Sequence, residues 1–182
     1  MRAREIALIS SFSAIWIASE LYLGPMVGKI SVGSFSFHGS VNRFVGWALM
    51  LILAEHSRRF GRVSSMSAIS AIGTRFGRTN LVEGLFVGLG YFIGGLTFDA
   101  LYLLTSKIGL AGRKVALLLI AFVSSTFAML PYIFFRLAIL GPIAFTALAP
   151  VYVYSTLKGV GFSLLGVLAA VALVPRLKKL RM

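Results

Sequence analysis

Long apolar runs separated by short basic clusters constrain this chain more than any other feature of its sequence. Of its 182 residues, 58% are hydrophobic and 13% are charged, and the mean hydropathy is +0.93. A water-soluble domain of this size with that balance would aggregate, so the expected solvent is lipid. One crossing of a hydrocarbon layer roughly 30 Å thick takes about 20 apolar residues. We therefore predict a single integral membrane domain over 1–182, built as an all-α bundle.

Glycine, proline and basic residues divide the apolar runs into six predicted helices. Their approximate ranges are 5–24, 40–56, 63–76, 81–106, 113–137 and 151–175. The third is rich in serine and alanine, so we expect it to pack against other helices rather than lipid. Residues 31–38 alternate in polarity, which predicts an extended cap within the loop 26–39. Between Gly141 and Pro150 we expect an irregular apolar segment that dips into the protein.

The distribution of basic residues sets the orientation. With six crossings and a cytoplasmic N-terminus, twelve of the 18 basic residues lie on the cytoplasmic side and five on the outer side, with Lys158 inside the last helix. Without the third helix, the cluster at 107–114 and the basic tail would lie outside, against the positive-inside bias. We therefore predict six transmembrane helices with both termini in the cytoplasm.

Several classes of function are disfavoured by the sequence. The net charge of +13 comes from clusters at the ends of apolar runs, where it orients a membrane protein, so nucleic-acid binding is not expected. The chain contains no cysteine, which excludes disulfides and thiol catalysis. It also contains no phosphate-binding loop, zinc-protease motif or nucleophile elbow. We expect no catalytic residue, no cofactor and no metal site.

Small residues form a stripe on the first predicted helix, comprising Ala7, Ser10, Ser11, Ala14 and Ala18. Such a stripe allows close approach of another helix, which is either an internal neighbour or a partner protein. Trp16 and Glu20 lie on the opposite face, one turn apart. If the stripe meets a partner, we expect these two residues to face inward.

The fourth predicted helix carries a second stripe of this kind, formed by Gly84, Gly88, Gly95 and Asp99. Glycine permits close contact between helix backbones, and a carboxylate within a span should face protein. We expect Asp99 to make a structural hydrogen bond or ion pair.

Charged and aromatic residues concentrate near the predicted outer half. Buried charges cost about 2.5–3.5 kcal/mol each on insertion scales, so they call for partners or water. A mostly apolar pocket with a few oriented polar groups and rings suits small heterocycles. An interfacial aromatic belt and snorkelling of the basic residues are the alternatives. The candidate substrate-binding residues are Glu20, Trp16, His38, Asn80, Glu83, Tyr132, Arg136, Tyr154 and Lys158.

With six short-looped helices, cytoplasmic termini, the Ala14-x-x-x-Ala18 pair and no ATP-binding motif, the chain resembles a substrate-binding S component of an energy-coupling factor (ECF) transporter. Within that family, the Arg4-Glu5-Ile6 start, the small third helix and the segment Phe98–Thr105 are most similar to the branch associated with thiamine or its hydroxymethylpyrimidine precursor.

The resemblance implies a role in vitamin uptake across the plasma membrane of a prokaryote. It implies that Ala14 and Ala18 dock on the transmembrane T component, which two ATPase subunits drive. It also implies that the substrate sits near the outer surface, under the loop 26–39. The residues alone leave two other hypotheses open: an autonomous small permease or channel, and an intramembrane enzyme or assembly scaffold.

Overall fold

The computed structural model of the chain describes residues 3–29, 31–32, 35–37, 39–77, 80–107, 109 and 114–179. Nearly all of these residues are helical, which confirms the predicted all-α class. Three helical stretches within the described residues are long and apolar enough to cross a membrane, namely Ala3–Gly28, Leu81–Lys107 and Lys114–Leu177. The remaining helices pack between and beside these three.

The N-terminal helical stretch changes its winding twice. Helix α1 covers Ala3–Ala18, a π-helical turn follows at Ser19–Leu23, and α2 covers Gly24–Gly28. The predicted end of the first helix at residue 24 is therefore wrong. Pro25 is tolerated because it lies in the first turn of α2, where its missing amide removes no regular helical hydrogen bond.

A short antiparallel pair follows α2. Strand β1 covers Ser31–Val32 and β2 covers Phe35–Ser36, with Ser31 opposite Ser36 and Val32 opposite Phe35. This pair lies within the stretch whose alternating polarity predicts extended backbone. Gly39 directly precedes the next helix.

Helix α3 covers Ser40–Ser57, and α4 covers Arg62–Gly73 before a 3-10 turn at Thr74–Gly77. α3 packs against the C-terminal helix, and α4 packs against α5 and α1. Both helices supply buried core residues, and the small and polar face of α4 is buried as expected. Ile69 and Ile72 nevertheless point out of the bundle. α4 is therefore internal on one face only.

Helix α5 covers Leu81–Lys107, and its glycine stripe faces α4. A Cβ added at Gly95 would overlap the Ser67 hydroxyl, and one added at Gly88 would lie 3.2 Å from the Ala71 carbonyl oxygen. The two helix backbones therefore approach closely along this stripe, as the small residues predict.

Asp99 lies at one end of the same stripe and makes the structural contact expected of it. Its Oδ2 accepts hydrogen bonds from the Gly61 amide at 2.7 Å, the Ser64 amide at 3.2 Å and the Ser64 hydroxyl at 2.9 Å. These amides belong to the N-terminus of α4, where an acidic side chain completes the hydrogen bonding of the first turn. Asp99 thereby fixes the start of α4 against α5.

The C-terminal part of the chain departs from the predicted layout. The predicted helix 113–137 is divided into α6, Lys114–Phe127, and the first part of α7 by a turn at Ala128 and Met129. Helix α7 covers Leu130–Lys179 and is broken at Gly141, whose φ of 73° and ψ of 166° are not helical. We call the two parts α7a, 130–140, and α7b, 142–179.

The chain reverses direction at Gly141. In a straight helix, Tyr132 and Tyr152 would lie about 30 Å apart. Their ring centroids are 6.5 Å apart, and the Arg136 Nε donates to the Tyr152 hydroxyl at 3.2 Å. α7a and α7b therefore form a helical hairpin, with Pro142 at the beginning of α7b, where proline fits a helix start.

The apolar segment between Gly141 and Pro150 is not irregular, and it does not dip into the protein. It is helical apart from Gly141, and much of it is exposed, with Ile143 at 88%. Pro142 is the first residue of α7b, where proline fits a helix start, and Pro150 lies inside α7b without ending it.

Candidate functional site

A cavity of about 230 Å³ lies where the first turns of α3 and α5 meet the turn between α6 and α7 and the middle of α7b. Each element brings polar or aromatic side chains to it. The lining residues are Gly39, Ser40, Arg43, Glu83, Val87, Tyr91, Ala128, Met129, Tyr132, Ser155, Lys158 and Gly159. A cavity with rings, hydroxyls and charges of both signs can hold a small polar molecule with a planar part.

Arg43 is the most buried cation of this cavity, at 9% exposure. Its Nη1 approaches the Ser125 carbonyl oxygen at 3.4 Å and the Ser125 hydroxyl at 3.3 Å, and its Nη2 lies 2.7 Å from the Met129 sulfur. The guanidinium also lies over the Trp47 ring, 5.0 Å from its centroid. These contacts hold the side chain in place through neutral groups.

Tyr91 links the cavity to the predicted inward face of α1. Its hydroxyl accepts a hydrogen bond from Asn42 and donates one to the Glu20 carboxylate at 3.1 Å. The Tyr91 ring packs against Trp16, with centroids 5.4 Å apart, and lies under the Arg75 guanidinium at 5.7 Å. Glu20 and Trp16 therefore contact the cavity wall through Tyr91 and do not line the cavity themselves.

Three buried polar atoms around this region have no hydrogen-bond partner within the described part of the chain: the Ser40 hydroxyl, the Trp16 indole nitrogen and the Asn42 amide oxygen. Buried polar groups are almost always hydrogen-bonded, so each exception needs an explanation. Ser40 is 1% exposed and lines the cavity. Its hydroxyl is therefore available to a molecule bound there.

Of the nine candidate substrate-binding residues, Glu83, Tyr132 and Lys158 line the cavity together. Arg136 stays outside it, although its guanidinium stacks over the Tyr132 ring at 5.8 Å. Tyr154 is exposed on α7b and does not line it.

Two further candidates have different positions. Asn80 is exposed, and its Oδ1 accepts a hydrogen bond from the Glu83 backbone amide at 3.1 Å. Asn80 therefore caps the N-terminus of α5. His38 lies outside the described residues. Asn80 therefore has a structural role as a helix cap.

Nine of the twelve lining residues were not among the candidates, including Ser40, Arg43 and Tyr91. Ser40 and Arg43 are three residues apart and share a face of α3, which was predicted as an apolar span. Tyr91 follows Glu83 and Val87 at intervals of four, so the three share one face of α5. That spacing is the signal that could have identified Tyr91.

The small-residue stripe of α1 lies on the outside of the bundle. All five of its members are exposed, including Ala14 and Ala18. Ile9, Ser13 and Trp16 lie on the other face and are buried. The stripe is therefore open to contact with lipid or another protein. Trp16 faces the interior of the bundle, as predicted.

Across the described ranges, no three His, Asp or Glu side chains lie close enough together to hold a metal ion. Comparisons of the chain with family models, curated proteins and solved structures found no match. A functional proposal therefore depends on the geometry of the cavity and on the exposed face of α1.

Proposed function

We propose that this chain is the membrane-embedded substrate-capture subunit of an ATP-driven importer, of the kind known as the S component of an ECF transporter. Its substrate would be a vitamin or vitamin precursor, with thiamine and hydroxymethylpyrimidine the first ligands to test. The carrying observation is the cavity of about 230 Å³, into which Glu83, Tyr132 and Lys158 converge with Arg43 and Tyr91.

The proposal includes six crossings with both termini in the cytoplasm of a prokaryote. In that arrangement α3 and α5 begin at the outer side, and α6 ends there. The cavity lies among these helix ends and would open toward the substrate supply. The basic clusters at 58–62, 107–114 and 176–181 then lie at the cytoplasmic side, in agreement with the positive-inside bias.

Capture would involve the predicted loop 26–39, of which residues 26–28 belong to helix α2. The strands β1 and β2 belong to this loop, and Gly39 at its end lines the cavity. A ligand shifts a conformational equilibrium only through its different affinity for the two states. The cavity should therefore bind best with this loop closed over it.

Energy would come from outside the chain. The five exposed small residues of α1 provide a surface on which a T component could pack closely, with Ala14 and Ala18 in its C-terminal half. Two ATPase subunits bound to that component would drive reorientation of the bundle and release of the substrate. This division assigns ATP hydrolysis to the partners.

The test is co-purification of the full chain from cells that express it together with its transport partners. The wild-type chain should carry a T component and ATPase subunits identified by mass spectrometry. Ala14→Arg and Ala18→Arg should lose both partners and abolish uptake of labelled substrate while binding is kept. Ala14→Leu gives the same steric block without placing a charge in lipid.

Ala100→Arg is the matched control, because Ala100 is an exposed alanine on a different helix, α5. It should keep the partners. Loss of partners in Ala100→Arg to the same degree would contradict docking through α1. Solute flux through liposomes that contain this chain alone would instead establish an autonomous permease.

A further inference from the structure

We infer that the cavity binds an anionic group of its substrate, a carboxylate or a phosphate, between the Arg43 guanidinium and the Ser40 hydroxyl. The inference rests on the proposed function and names the chemical class of the ligand. It follows from a buried charge, a buried hydroxyl and a second cation that lie on the same wall.

Arg43 carries a buried charge. Such a charge is normally paired with an opposite charge, because desolvation is otherwise too costly. The hydrogen-bond partners of Arg43 in the described chain are the neutral groups of Ser125 and Met129, at 2.7–3.4 Å, and the Glu20 carboxylate beyond Tyr91 attracts it electrostatically. An anion in the cavity would place a negative charge in direct contact with the guanidinium.

Ser40 lies beside the same cavity. Its hydroxyl is 99% buried, lines the cavity and has no partner in the described chain. It lies in the first turn of α3, a helix of 18 residues whose preceding residue, Gly39, provides no side-chain cap. Anions are stabilised at a helix N-terminus by the free amides and the helix dipole. An anionic oxygen there would accept from the Ser40 hydroxyl.

A second cation lies on the adjoining helix. A Cβ added at Gly159 would lie 3.7 Å from the Arg43 Nε, so Arg43 packs against the turn of α7b that also carries Lys158. The lining residues thus include two cations on this side and one carboxylate, Glu83, on α5. A negative group placed between the two cations would interact favourably with both.

The rest of the lining indicates what the anion is attached to. Tyr91 and Tyr132 present aromatic rings, and Glu83 presents an acceptor for an N–H or O–H donor. Rings bind planar groups by stacking or edge contacts. We therefore expect a small aromatic acid or an aromatic phosphate ester rather than a neutral heterocycle.

Binding of three probes to the purified, detergent-solubilised chain tests this inference. Benzoate and phenyl phosphate are the anions, and benzamide has nearly the shape of benzoate without its charge. Such small molecules should bind in the millimolar range, by calorimetry or ligand-observed NMR. At least one anion should bind about tenfold more tightly than benzamide, as expected for one added charge-assisted hydrogen bond. The anion that binds more tightly shows whether the site prefers a carboxylate or a phosphate.

Ser40→Ala and Lys158→Gln should each remove most of the anion's advantage and leave benzamide unchanged. Lys107→Gln, an exposed lysine at the other end of α5, is the matched control and should bind like wild type. Tryptophan fluorescence would verify that each variant is folded.

Equal affinity for benzamide, no binding of either anion, or unchanged anion affinity in both cavity variants would overturn the inference. None of these results would affect partner association through α1, which tests the import role separately. Loss of that association with anion preference intact would instead overturn the import role alone.

Discussion

The close approach of α3 and α7b gives a sharp stability prediction. A Cβ added at Gly166 would overlap the Phe44 carbonyl oxygen and lie 3.0 Å from its carbonyl carbon. The obstructing atoms are backbone, so they cannot move as a flexible side chain would. Gly161 lies on the same helix, and a Cβ there would meet nothing within 4 Å. Gly166→Ala and Gly161→Ala therefore make the same chemical change in the same helix, and they differ in whether the added methyl group meets an obstacle.

The magnitude follows from two opposing effects. Replacing a helical glycine by alanine stabilises a helix by about 0.5–1 kcal/mol when space allows. Overpacking costs about 1–3 kcal/mol, and a backbone obstacle places Gly166→Ala toward the upper end. Gly161→Ala should therefore raise the free energy of unfolding slightly. Gly166→Ala should lower it by about 1–2 kcal/mol, since overpacking outweighs the gain in helix propensity.

Unfolding can be followed by intrinsic fluorescence during titration of the micelle with a denaturing detergent. The chain has two tryptophans, Trp16 and Trp47, and both are fully buried with their rings 6.4 Å apart. Loss of the core should therefore change the signal strongly. If Gly166→Ala is as stable as Gly161→Ala, α3 and α7b do not approach as described.

Two further predictions concern helix caps. Asp99→Ala should lower the free energy of unfolding by about 2 kcal/mol, because the amides of Gly61 and Ser64 lose their acceptor, while Asp99→Asn should lose less because its amide oxygen still accepts. Equal losses in the two variants would argue against the cap. Asn80→Ala should cost about 0.5–1 kcal/mol through loss of the α5 cap and leave ligand affinity unchanged. A large loss of ligand affinity would indicate that Asn80 contacts the ligand, as the sequence predicts.

The helices themselves were largely predictable because each is determined by the residues of its own segment. Residues 81–106 form an uninterrupted apolar run with a glycine stripe, and α5 covers Leu81–Lys107 with that stripe against α4. The exposure of Ala14 and Ala18 opposite buried Trp16 follows from helical periodicity in the same way. Length and periodicity are sufficient where each helix has one face of distinct composition.

The sequence predicted a reversal between its last two helices, 113–137 and 151–175, but not that a single residue makes it. Pro142 and Pro150 suggested an irregular segment, but a proline at a helix start or a supported position interrupts less than its propensity indicates. The reversal depends on a single residue, Gly141, whose φ of 73° and ψ of 166° are readily adopted only by glycine.

The cavity was predictable only in part, since its members are distant in sequence. Glu83, Tyr132 and Lys158 could be grouped by depth and by aromatic spacing. Arg43 could not, because a basic residue at the beginning of an apolar helix usually faces headgroups or water. Its contacts with Ser125 and Met129 place it inside the bundle instead, and they require the packing of α3 on α6.

The central claim is that this cavity holds a small molecule, and native mass spectrometry of the gently purified chain tests it most directly. The wild-type chain should carry one bound small molecule. Ser155→Phe fills the cavity from α7b and should leave only the bare chain mass, while Val153→Phe, at an exposed position on the same helix, should keep the molecule. A bare wild-type mass, or a bound molecule that survives Ser155→Phe, would contradict the account.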